Sequence, residues 1–429
     1  MSAMSGRGCF SCRMRAAAFS FQACEIIMLS VSEAISIVKE QTRSLPPEEV
    51  EIVSALGRVL AEDVIADTDL PPFDRSQMDG YALRAADCEN VPARLRVVGE
   101  AAAGRGWHET LQPGEAVRIM TGAPVPAGAD SVQQVEVTAE LDEGRAVEIS
   151  KATEPGQFII KRGSEIKRGQ TVLLSGEEIN AARMAVLASF GYAKVRVGAR
   201  PRVAVLVTGT ELVPVTERPG RDEIRDSNTF SLGAYAAIAG ARVERLELAS
   251  DDLELLKREI SGAAERVDAL ILSGGVSMGV YDFTKAALRS LGADFFFERV
   301  SLRPGKPTVF ARLGRALVFG LPGNPVSVSV TFNLFARTAI RAMQGALQVE
   351  MSEERAVLSR SVRGAVERES FLPAELRTDE TGRLLAEPLK WGGSSDFVAF
   401  ARATALINVP EGVRTLDAGE TVRVLHLPA

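Results

Sequence analysis

Between residues 201 and 344, continuous apolar runs alternate with amphipathic stretches of helical spacing. The apolar runs predict strands over 203–207, 243–248, 269–272, 295–300, 308–310 and 317–319. The amphipathic stretches predict helices over 229–239, 253–264, 282–291 and 326–343. Apolar strands that alternate with helices are typical of a parallel sheet covered on both faces. We therefore expect residues 200–347 to form a doubly wound α/β domain.

The pattern changes on both sides of this domain. Short β-type runs at 95–98, 116–119, 131–135 and 146–149 predict a β-rich domain over 69–167. Helical spacing at 30–43 and 49–62, and a helix that ends near Phe190 after a capping-box pattern at Ser175 and Glu178, predict a helical linker domain over 29–68 and 168–199. The β-rich domain is then an insertion into the linker. Short strands at 356–359, 384–387, 405–409 and 421–427 predict a small C-terminal β-barrel over 348–429.

Composition excludes several classes of function. The 429-residue chain has a formal net charge of -6, so it carries no general basic field for nucleic acid. It contains no apolar run of about 18 residues, so no membrane span is expected. Its two histidines, His108 and His426, are too few for most metallohydrolases and triad enzymes. We expect chemistry that uses carboxylates, lysine, arginine, hydroxyls and peptide N–H groups.

Residues 1–28 differ from the rest of the chain because they hold three of its four cysteines. Cys9 and Cys12 form a lone C-x-x-C pair, which without a second pair is a weak sign of zinc. The segment lacks the apolar core of a secretion signal. We expect a disordered leader or an upstream-start artefact, and a cytoplasmic protein.

Four polar or glycine-rich segments follow predicted strands of the α/β domain, at 208–211, 250–252, 273–282 and 321–327. Each alone is compatible with an ordinary turn. In open α/β sheets, however, ligands bind just beyond the carboxyl ends of the strands. Four such segments at one edge favour a shared binding site.

The residue types in these segments suit an anion. Gly274 and Gly275 let peptide N–H groups approach a charged ligand without a Cβ in the way. Asn324 precedes a proline-started helix, whose free N–H groups favour phosphate or another oxyanion. Arg303 and Lys306, separated by proline and glycine, suit a doubly charged oxyanion, although a solvated cationic loop is the usual alternative.

Three carboxylates are expected at the same edge, those of Glu211, Asp251 and Asp282. Carboxylates beside bound phosphates are the usual ligands of Mg²⁺. The structural alternative for Asp251 and Asp282 is a helix N-cap, since each precedes a predicted helix.

A competing motif also follows the strand at 269–272. Gly275, Ser277 and Gly279 match the G-x-S-x-G nucleophile elbow of hydrolases. An elbow needs a helix that starts at once, but the helix here is predicted only from Asp282. The downstream histidine would have to be His426, almost at the chain end, so the hydrolase interpretation is disfavoured. Neither the dinucleotide-binding nor the P-loop glycine motif is present.

Five segments in order resemble a known family: 72–82, 118–126, 274–277, 304–307 and 320–327. From about residue 28 to its end, the chain resembles the molybdopterin molybdenumtransferases of the MoeA type, which also form the C-terminal part of gephyrin. The resemblance implies a four-domain elongated homodimer. It also implies a Mg²⁺-assisted reaction in which adenylyl-molybdopterin is cleaved, AMP leaves and molybdate is captured.

The resemblance also implies roles for individual residues. The catalytic group would be Asp79, Thr121, Glu211, Asp251, Asp282 and Lys306, with Asp79 and Thr121 lent by the other subunit. Glu211, Asp251 and Asp282 would lie on the metal side. Substrate would be held by Gly274, Gly275, Ser277, Arg299, Arg303, Lys306, Gly323, Asn324, Ser327 and Ser394. A molybdopterin adenylyltransferase is a candidate partner.

The chain departs from the family pattern at several positions. Thr210 replaces an acid, Glu165 an aspartate, and Arg299 and Arg303 stand where lysine is common. Pro373 stands where an arginine is expected, for which Arg368 or Arg377 are candidate substitutes. Two alternatives follow: a non-catalytic scaffold paralogue that binds the pterin nucleotide, or a molybdopterin adenylyltransferase.

Overall fold

The first helix of the chain, α1 (Val31–Gln41), begins at a complete capping box, as its sequence predicts. The computed structural model describes residues 28–246, 252–275 and 283–428. The Glu33 N–H donates to Ser30 Oγ, and the Ser30 N–H donates to the Glu33 carboxylate at 2.8 Å. The buried face of α1 packs into the core of the α/β domain, so this linker helix is anchored to that domain.

The helix predicted over 49–62 is wrong. Strand β1 (Glu48–Glu51), a short 3₁₀ turn (Ile52–Ser54) and strand β2 (Val64–Ile65) occupy this segment. Val53 and Leu56, which belong to the helical spacing, are 80% and 57% exposed, so they face no core that would hold a helix. The backbone of β1 is paired instead with a strand at residues 194–197.

The inserted domain is β-rich, as predicted. Its strands are β3 (Arg75–Ser76), β4 (Gly80–Leu83), β5 (Ala93–Ala101), β6 (Glu115–Ile119), β7 (Ser131–Gln134), β8 (Thr138–Leu141), β9 (Ala146–Ile149) and β10 (Ile159–Ile160). Six of them form a sheet in the order β7-β4-β6-β5-β9-β8, with an apolar cluster on each face. A Cβ at Gly80 would lie 1.9 Å from the Gln133 carbonyl oxygen, so only glycine permits this pairing of β4 with β7.

The chain then returns to the linker through β11 (Thr171–Leu173), α2 (Ala181–Ser189) and β12 (Lys194–Val197). Strand β11 pairs with β2, and β12 pairs with β1. The predicted start of α2 at Ser175 is wrong, because Asn180 caps the helix by accepting the Arg183 N–H at 2.9 Å. The linker therefore contains two short antiparallel pairs as well as two helices.

The α/β domain contains most of the predicted elements. They are β13 (Arg202–Val207), β14 (Leu212–Val213), β15 (Ile224–Arg225), α3 (Asn228–Ile238), β16 (Arg242–Arg245), α4 (Leu253–Arg266), β17 (Ala269–Ser273), α5 (Phe283–Ser290), β18 (Asp294–Phe297), β19 (Leu302–Arg303), β20 (Val309–Leu313), β21 (Ala316–Leu321), α6 (Pro325–Thr331) and α7 (Arg337–Met343). A π-helical turn, Phe332–Ala336, joins α6 to α7 and makes one continuous helix, as the apolar pattern predicts.

The sheet of this domain has the order β16-β13-β17-β21-β20-β18, with apolar clusters on both faces. Its first four strands are parallel, whereas β20 and β18 are antiparallel to their neighbours. The expectation of a wholly parallel sheet is therefore wrong at this edge, because a tight turn at Gly314 joins β20 directly to β21. Val207, Ser273 and Leu321 lie side by side in register, which brings the carboxyl ends of three parallel strands together.

The C-terminal barrel is also confirmed. It contains β22 (Glu353–Leu358), β23 (Val362–Arg363), β24 (Glu369–Thr378), β25 (Leu384–Pro388), α8 (Phe397–Phe400), β26 (Ala405–Val409), β27 (Thr415–Leu416) and β28 (Thr421–His426). Strands β24, β25, β22, β28 and β26 close on themselves through a β24–β26 pairing. None of the helices in the described part of the chain has the length and apolar character required to cross a membrane.

Candidate active site

A cleft of about 1370 Å³ lies beyond the carboxyl ends of β13, β17 and β21, where the in-register ends of these strands place their following loops. We call it the main cleft. Its lining includes residues 207–212, 223–228, 273–275 and 322–325 of the α/β domain, together with Ser395 and Phe397 of the barrel. Among the described residues, none from the β-rich domain lines it.

The structure places five of the predicted site residues in this lining: Glu211, Gly274, Gly275, Gly323 and Asn324. A sixth, Ser394, is not part of the lining but directly precedes Ser395, which is. The Asn324 side-chain amide donates to Ser394 Oγ at 2.9 Å, and the Val326 N–H donates to the Ser394 carbonyl oxygen at 3.0 Å. These two bonds attach the barrel loop to the start of α6.

Gly274 and Gly275 adopt left-handed backbone conformations, with φ of 93° and 60°. A Cβ on Gly274 would lie 2.1 Å from the Thr208 carbonyl oxygen, so the loop after β17 can rest against the end of β13 only with glycine there. Thr284 Oγ1 donates to the Gly274 carbonyl oxygen at 3.1 Å and fixes the loop from the other side. The first turn of this loop is therefore rigidly set in the main cleft.

The loop at residues 303–307, which contains Arg303 and Lys306, lies at the border of the main cleft. Pro307 lines the main cleft, whereas Arg303 lines a second cleft of about 470 Å³. Lys306, half-buried between them, lines neither. Gly305 between these residues has φ of 119°, and a Cβ there would meet Thr331 at 2.4 Å, so the loop is closely packed on α6. Arg299 is half-buried and Ser327 is buried, and neither lines a cleft.

Of the predicted acidic group, Glu211 is exposed at the main cleft. Asp251 and Asp282, like Ser277, lie outside the described residues. The N-cap of α4 is Asp252, which accepts the N–H groups of Glu254 and Leu255 at 2.9 Å, so the cap is the residue after Asp251. Within the described ranges, no group of three His, Cys, Asp or Glu side chains could hold a metal ion.

Sequence reasoning missed two polar residues in the main cleft, Asp226 and Asn228. The Asn228 side-chain amide donates to Ser273 Oγ at 3.1 Å and to the Gly323 carbonyl oxygen at 2.7 Å. Ser273 Oγ in turn donates to the Pro322 carbonyl oxygen at 3.1 Å. Asn228 is only 7% exposed, and it ties the start of α3 to the ends of β17 and β21. The polar run at 226–228 directly before a predicted helix was the available signal.

Replacing Asn228 by alanine should destabilise the main cleft, because the buried Ser273 Oγ and the carbonyl oxygen of Gly323 lose a donor. The expected loss is about 1–3 kcal/mol of unfolding free energy, the usual effect of an unsatisfied buried polar group. Thermal and urea unfolding of the full chain would measure it. Ser231→Ala is the matched control, since its hydroxyl makes only a 3.3 Å bond within α3. Equal stability of both variants would contradict this role for Asn228.

In the β-rich domain, the structure brings Asp79 and Thr121 together. Asp79 Oδ1 accepts the Thr121 N–H at 2.7 Å and the Thr121 hydroxyl at 2.9 Å. These two bonds hold the pKa of Asp79 below its ordinary value, so it remains a carboxylate. Both residues are exposed, and neither lines the main cleft of its own chain. The pair is therefore free to face another molecule.

Comparison with known proteins covers almost the whole chain. Residues 29–191 match the MoeA N-terminal region (domain I and II), residues 204–342 a probable molybdopterin binding domain, and residues 355–427 the MoeA C-terminal region (domain IV). The molybdopterin molybdenumtransferase of Bacillus subtilis (strain 168) is 36% identical over 403 residues, which are 92% of this chain and 94% of that protein. That of Staphylococcus aureus (strain COL) is 35% identical over 401 residues, 92% of this chain and 95% of that protein.

Solved structures agree with these matches. The molybdopterin biosynthesis MoeA protein from Pyrococcus horikoshii OT3 superposes with a TM-score of 0.80 at 27% identity, covering 93% of this chain and all of that one. A molybdopterin biosynthesis MoeA protein structure from Pyrococcus horikoshii with a different sequence identity, 33%, gives a TM-score of 0.77 over 93% and 99% of the two chains. The fold and the matched regions together identify a multidomain protein that contains a probable molybdopterin-binding domain. The chain belongs to the molybdopterin molybdenumtransferase family, which confirms the resemblance seen in its sequence.

Proposed function

We propose that this protein inserts molybdate into adenylyl-molybdopterin, with release of AMP, in the biosynthesis of the molybdenum cofactor. The observation that supports it most directly is the main cleft, in which Glu211, Gly274, Gly275, Gly323 and Asn324 share one wall. Its volume of about 1370 Å³ is sufficient for a pterin nucleotide, whereas an inorganic ion alone would fill only a small part of it.

The phosphates of the nucleotide lie against the glycine loop and the start of α6. Gly275 presents its peptide N–H without a side chain, whereas the Gly274 N–H donates to the Leu321 carbonyl oxygen at 3.4 Å. Pro325 begins a helix that continues without a break to Met343, so its start carries the positive end of the helix dipole, although the Val326 N–H of the first turn already donates to the Ser394 carbonyl oxygen. Gly323, Asn324, Ser277, Ser327 and Ser394 complete the substrate contacts in this proposal.

In this proposal Glu211, with Asp251 and Asp282, would hold Mg²⁺. The described lining of the main cleft has the carboxylates of Glu211, Glu223 and Asp226 beside one cation, Arg225, and no histidine or cysteine, so carboxylates are the ligands it offers, although no three described groups lie together as a metal site. Carboxylate oxygens are the ligands that Mg²⁺ prefers. When bound, the ion neutralises phosphate charge that develops as AMP leaves.

Lys306, with Arg303 and Arg299, supplies positive charge for the phosphate or molybdate. Asp79 and Thr121 act from the β-rich domain of a second copy of the chain, which makes the protein a homodimer whose cleft is completed in trans. The main cleft supports this, because no residue of the β-rich domain of the same chain occurs in its described lining. The proposal also includes a cytoplasmic location and delivery of the substrate by a molybdopterin adenylyltransferase.

The test is AMP release from adenylyl-molybdopterin by the full chain, with and without molybdate and Mg²⁺. We expect release that depends on both, because the ion and the acceptor anion act in the same step. Calorimetric titration of the nucleotide, run alongside, separates binding from turnover. Binding without AMP release under all conditions would replace the enzyme by a scaffold. Adenylylation of free molybdopterin with ATP would replace it by an adenylyltransferase.

A further inference from the structure

Phe397, in helix α8 of the C-terminal domain, is an aromatic side chain that lines the main cleft and is 50% exposed. Single exposed apolar residues are common on protein surfaces. An aromatic side chain in the wall of a large concave cleft is different, because such side chains supply much of the contact surface for small-molecule ligands. Phe397 therefore offers apolar surface at the place where the substrate is proposed to bind.

The ring of Phe397 is available for a ligand. Two aromatic residues occur in the described lining of the main cleft, Phe283 and Phe397. Phe283 is half-buried and packs against the apolar cluster on one face of the α/β sheet. Within the part of the chain that the structure describes, Phe397 makes no ring–ring or cation–π contact. Its exposed surface is thus not used by the fold.

The backbone that carries Phe397 is held in position by the protein itself. The Asp396 carboxylate accepts the Gly392 N–H at 2.7 Å and the Ala399 N–H at 3.1 Å. These bonds, that from Gly392 first, hold the pKa of Asp396 below its ordinary value, so the group stays a charged acceptor. On the other side of α8, Phe400 is buried in the core that includes the α/β sheet. The position of Phe397 at the cleft is therefore fixed before a ligand binds.

Phe397 also lies close to the proposed phosphate contacts. Ser394, three residues earlier, accepts the Val326 N–H with its carbonyl oxygen at 3.0 Å, and its hydroxyl oxygen accepts the Asn324 amide at 2.9 Å. Three residues of chain span at most about 10 Å. A heterocycle that is joined through a short linker to a phosphate at the start of α6 is consequently within reach of the Phe397 ring.

The β14–β15 connection adds further apolar surface to the main cleft. Leu212, Pro219 and Ile224 line it, and Ile224 is exposed. Leu212 and Ile224 are partners in the two-stranded pair, and the Ile224 N–H donates to the Glu211 carbonyl oxygen at 2.7 Å. Both the α/β domain and the barrel thus present apolar side chains to this cleft. A flat heteroaromatic ring, which is apolar on its two faces, suits such a lining.

We propose that Phe397 is a specificity-determining residue, on whose ring a flat heteroaromatic ring of the substrate stacks. That ring is the adenine or the pterin of adenylyl-molybdopterin, an identity that rests on the proposed function. Aromatic rings attract each other in offset or edge-to-face arrangements. Stacking on an aromatic side chain does not depend on which heterocycle is bound, because each has a π face. Phe397 carries no charge and no exchangeable proton, so it acts on binding and orientation.

Calorimetric titration of the full chain with AMP, neopterin and ribose 5-phosphate tests the proposal. Phe397→Ala should bind AMP or neopterin about tenfold more weakly, the usual effect of removing one stacking side chain. Its affinity for ribose 5-phosphate should not change, because this ligand has no aromatic ring. Phe397→Tyr keeps the ring and should restore the affinity. Val398→Ala is the matched control, since Val398 is the next residue of α8, is 71% exposed and does not line the cleft.

The source of the ring is decided by the same titrations. A loss for AMP alone assigns the adenine to Phe397, and a loss for neopterin alone assigns the pterin. A loss for both assigns a surface that accepts either ring, and all three results support the proposal. It is overturned if Phe397→Ala binds both ligands as the wild type does, or if the wild type binds neither. An equal loss for ribose 5-phosphate also overturns it, because the residue would then be structural.

Failure of the proposed function gives a different result. If the wild-type chain releases no AMP from adenylyl-molybdopterin but Phe397→Ala loses affinity only for ligands with a ring, the stacking site stands and the proposed function fails. If AMP release is normal and the KM for adenylyl-molybdopterin is the same in both proteins, the function stands and the stacking site fails. A rise in that KM of about tenfold with an unchanged kcat is the expected outcome.

Discussion

Replacing Glu211 by glutamine is expected to lower the rate of AMP release by about a hundredfold or more, because a metal-assisted step depends on several kcal/mol of charge stabilisation. Glu211 is the member of the proposed Mg²⁺ group that the structure describes, and it lines the main cleft beside the glycine loop. Glutamine keeps the size and one oxygen of the side chain but removes its negative charge. The measurement is kcat across a titration of Mg²⁺, in which the variant should need far more of the ion.

Glu217→Gln is the matched control for this change. Glu217 lies in the β14–β15 connection, six residues after Glu211, and is exposed, but it does not line the main cleft. Its hydrogen bonds use the backbone: its carbonyl oxygen accepts Arg225 Nε at 2.8 Å and its N–H donates to the Pro214 carbonyl oxygen at 3.0 Å, so both survive the substitution. Asp251→Asn and Asp282→Asn should behave like Glu211→Gln. Full activity in all three variants at low Mg²⁺ would exclude the carboxylate mechanism.

The α/β domain was predictable from the sequence because its elements are defined by local pattern. Strand β13 is a continuous apolar run and α4 an amphipathic stretch, and both occur where the pattern places them. The hydrophobic pattern of a strand does not show in which direction it runs in the sheet. Strand β20 is an apolar run like its parallel neighbours, and its direction is reversed because the tight turn at Gly314 joins it directly to β21; β18, antiparallel to β20, runs in the same direction as β21.

Two further errors arose from long-range pairing. The segment 49–62 has a helical spacing of apolar residues, but it begins in strand β1, whose partner β12 lies more than a hundred residues away in sequence. Strand β24, the longest of the barrel, was missed because Pro373 interrupts it. The structure accommodates this proline where β24 pairs with β26 on one side and pairing with β25 begins only at Ala374. Neither arrangement can be read from a window of neighbouring residues.

Those residues of the main cleft that follow the ends of strands could be predicted from the sequence. Gly274, Gly275 and Asn324 follow directly after strands, so the sheet alone places them together. Asn228 was missed because its role depends on two loops that reach it from 45 and 95 residues away. Arg303 was assigned to the substrate site, but the structure shows that it lines the second cleft. The sequence could not show this, because all the other described lining residues of that cleft belong to the C-terminal domain.

Mixing two inactive variants is expected to restore activity if the homodimer completes its cleft in trans. Asp79→Ala removes the carboxylate that accepts two hydrogen bonds from Thr121. Lys306→Ala removes the ammonium group of the loop at the border of the main cleft. Each alone should leave less than about one percent of the activity, as expected for a group that acts on the transition state. Co-expressed at equal levels, half of the dimers are mixed, and one of the two clefts in each contains Lys306 and the other subunit's Asp79.

The mixed sample should therefore recover about a quarter of wild-type AMP release under random assembly of a twofold dimer. If Asp79 acted within its own chain, every cleft would contain one of the two defects, and no activity would return. A control mixture of Glu211→Gln with Lys306→Ala places both defects in the same α/β domain and should remain inactive. The two mixtures contain the same number of lesions per dimer, so recovery in the first alone can come only from a cleft shared between subunits. Such recovery would assign the exposed Asp79–Thr121 pair to the cleft of the other subunit; among the described residues, none of the β-rich domain lines the main cleft of its own chain.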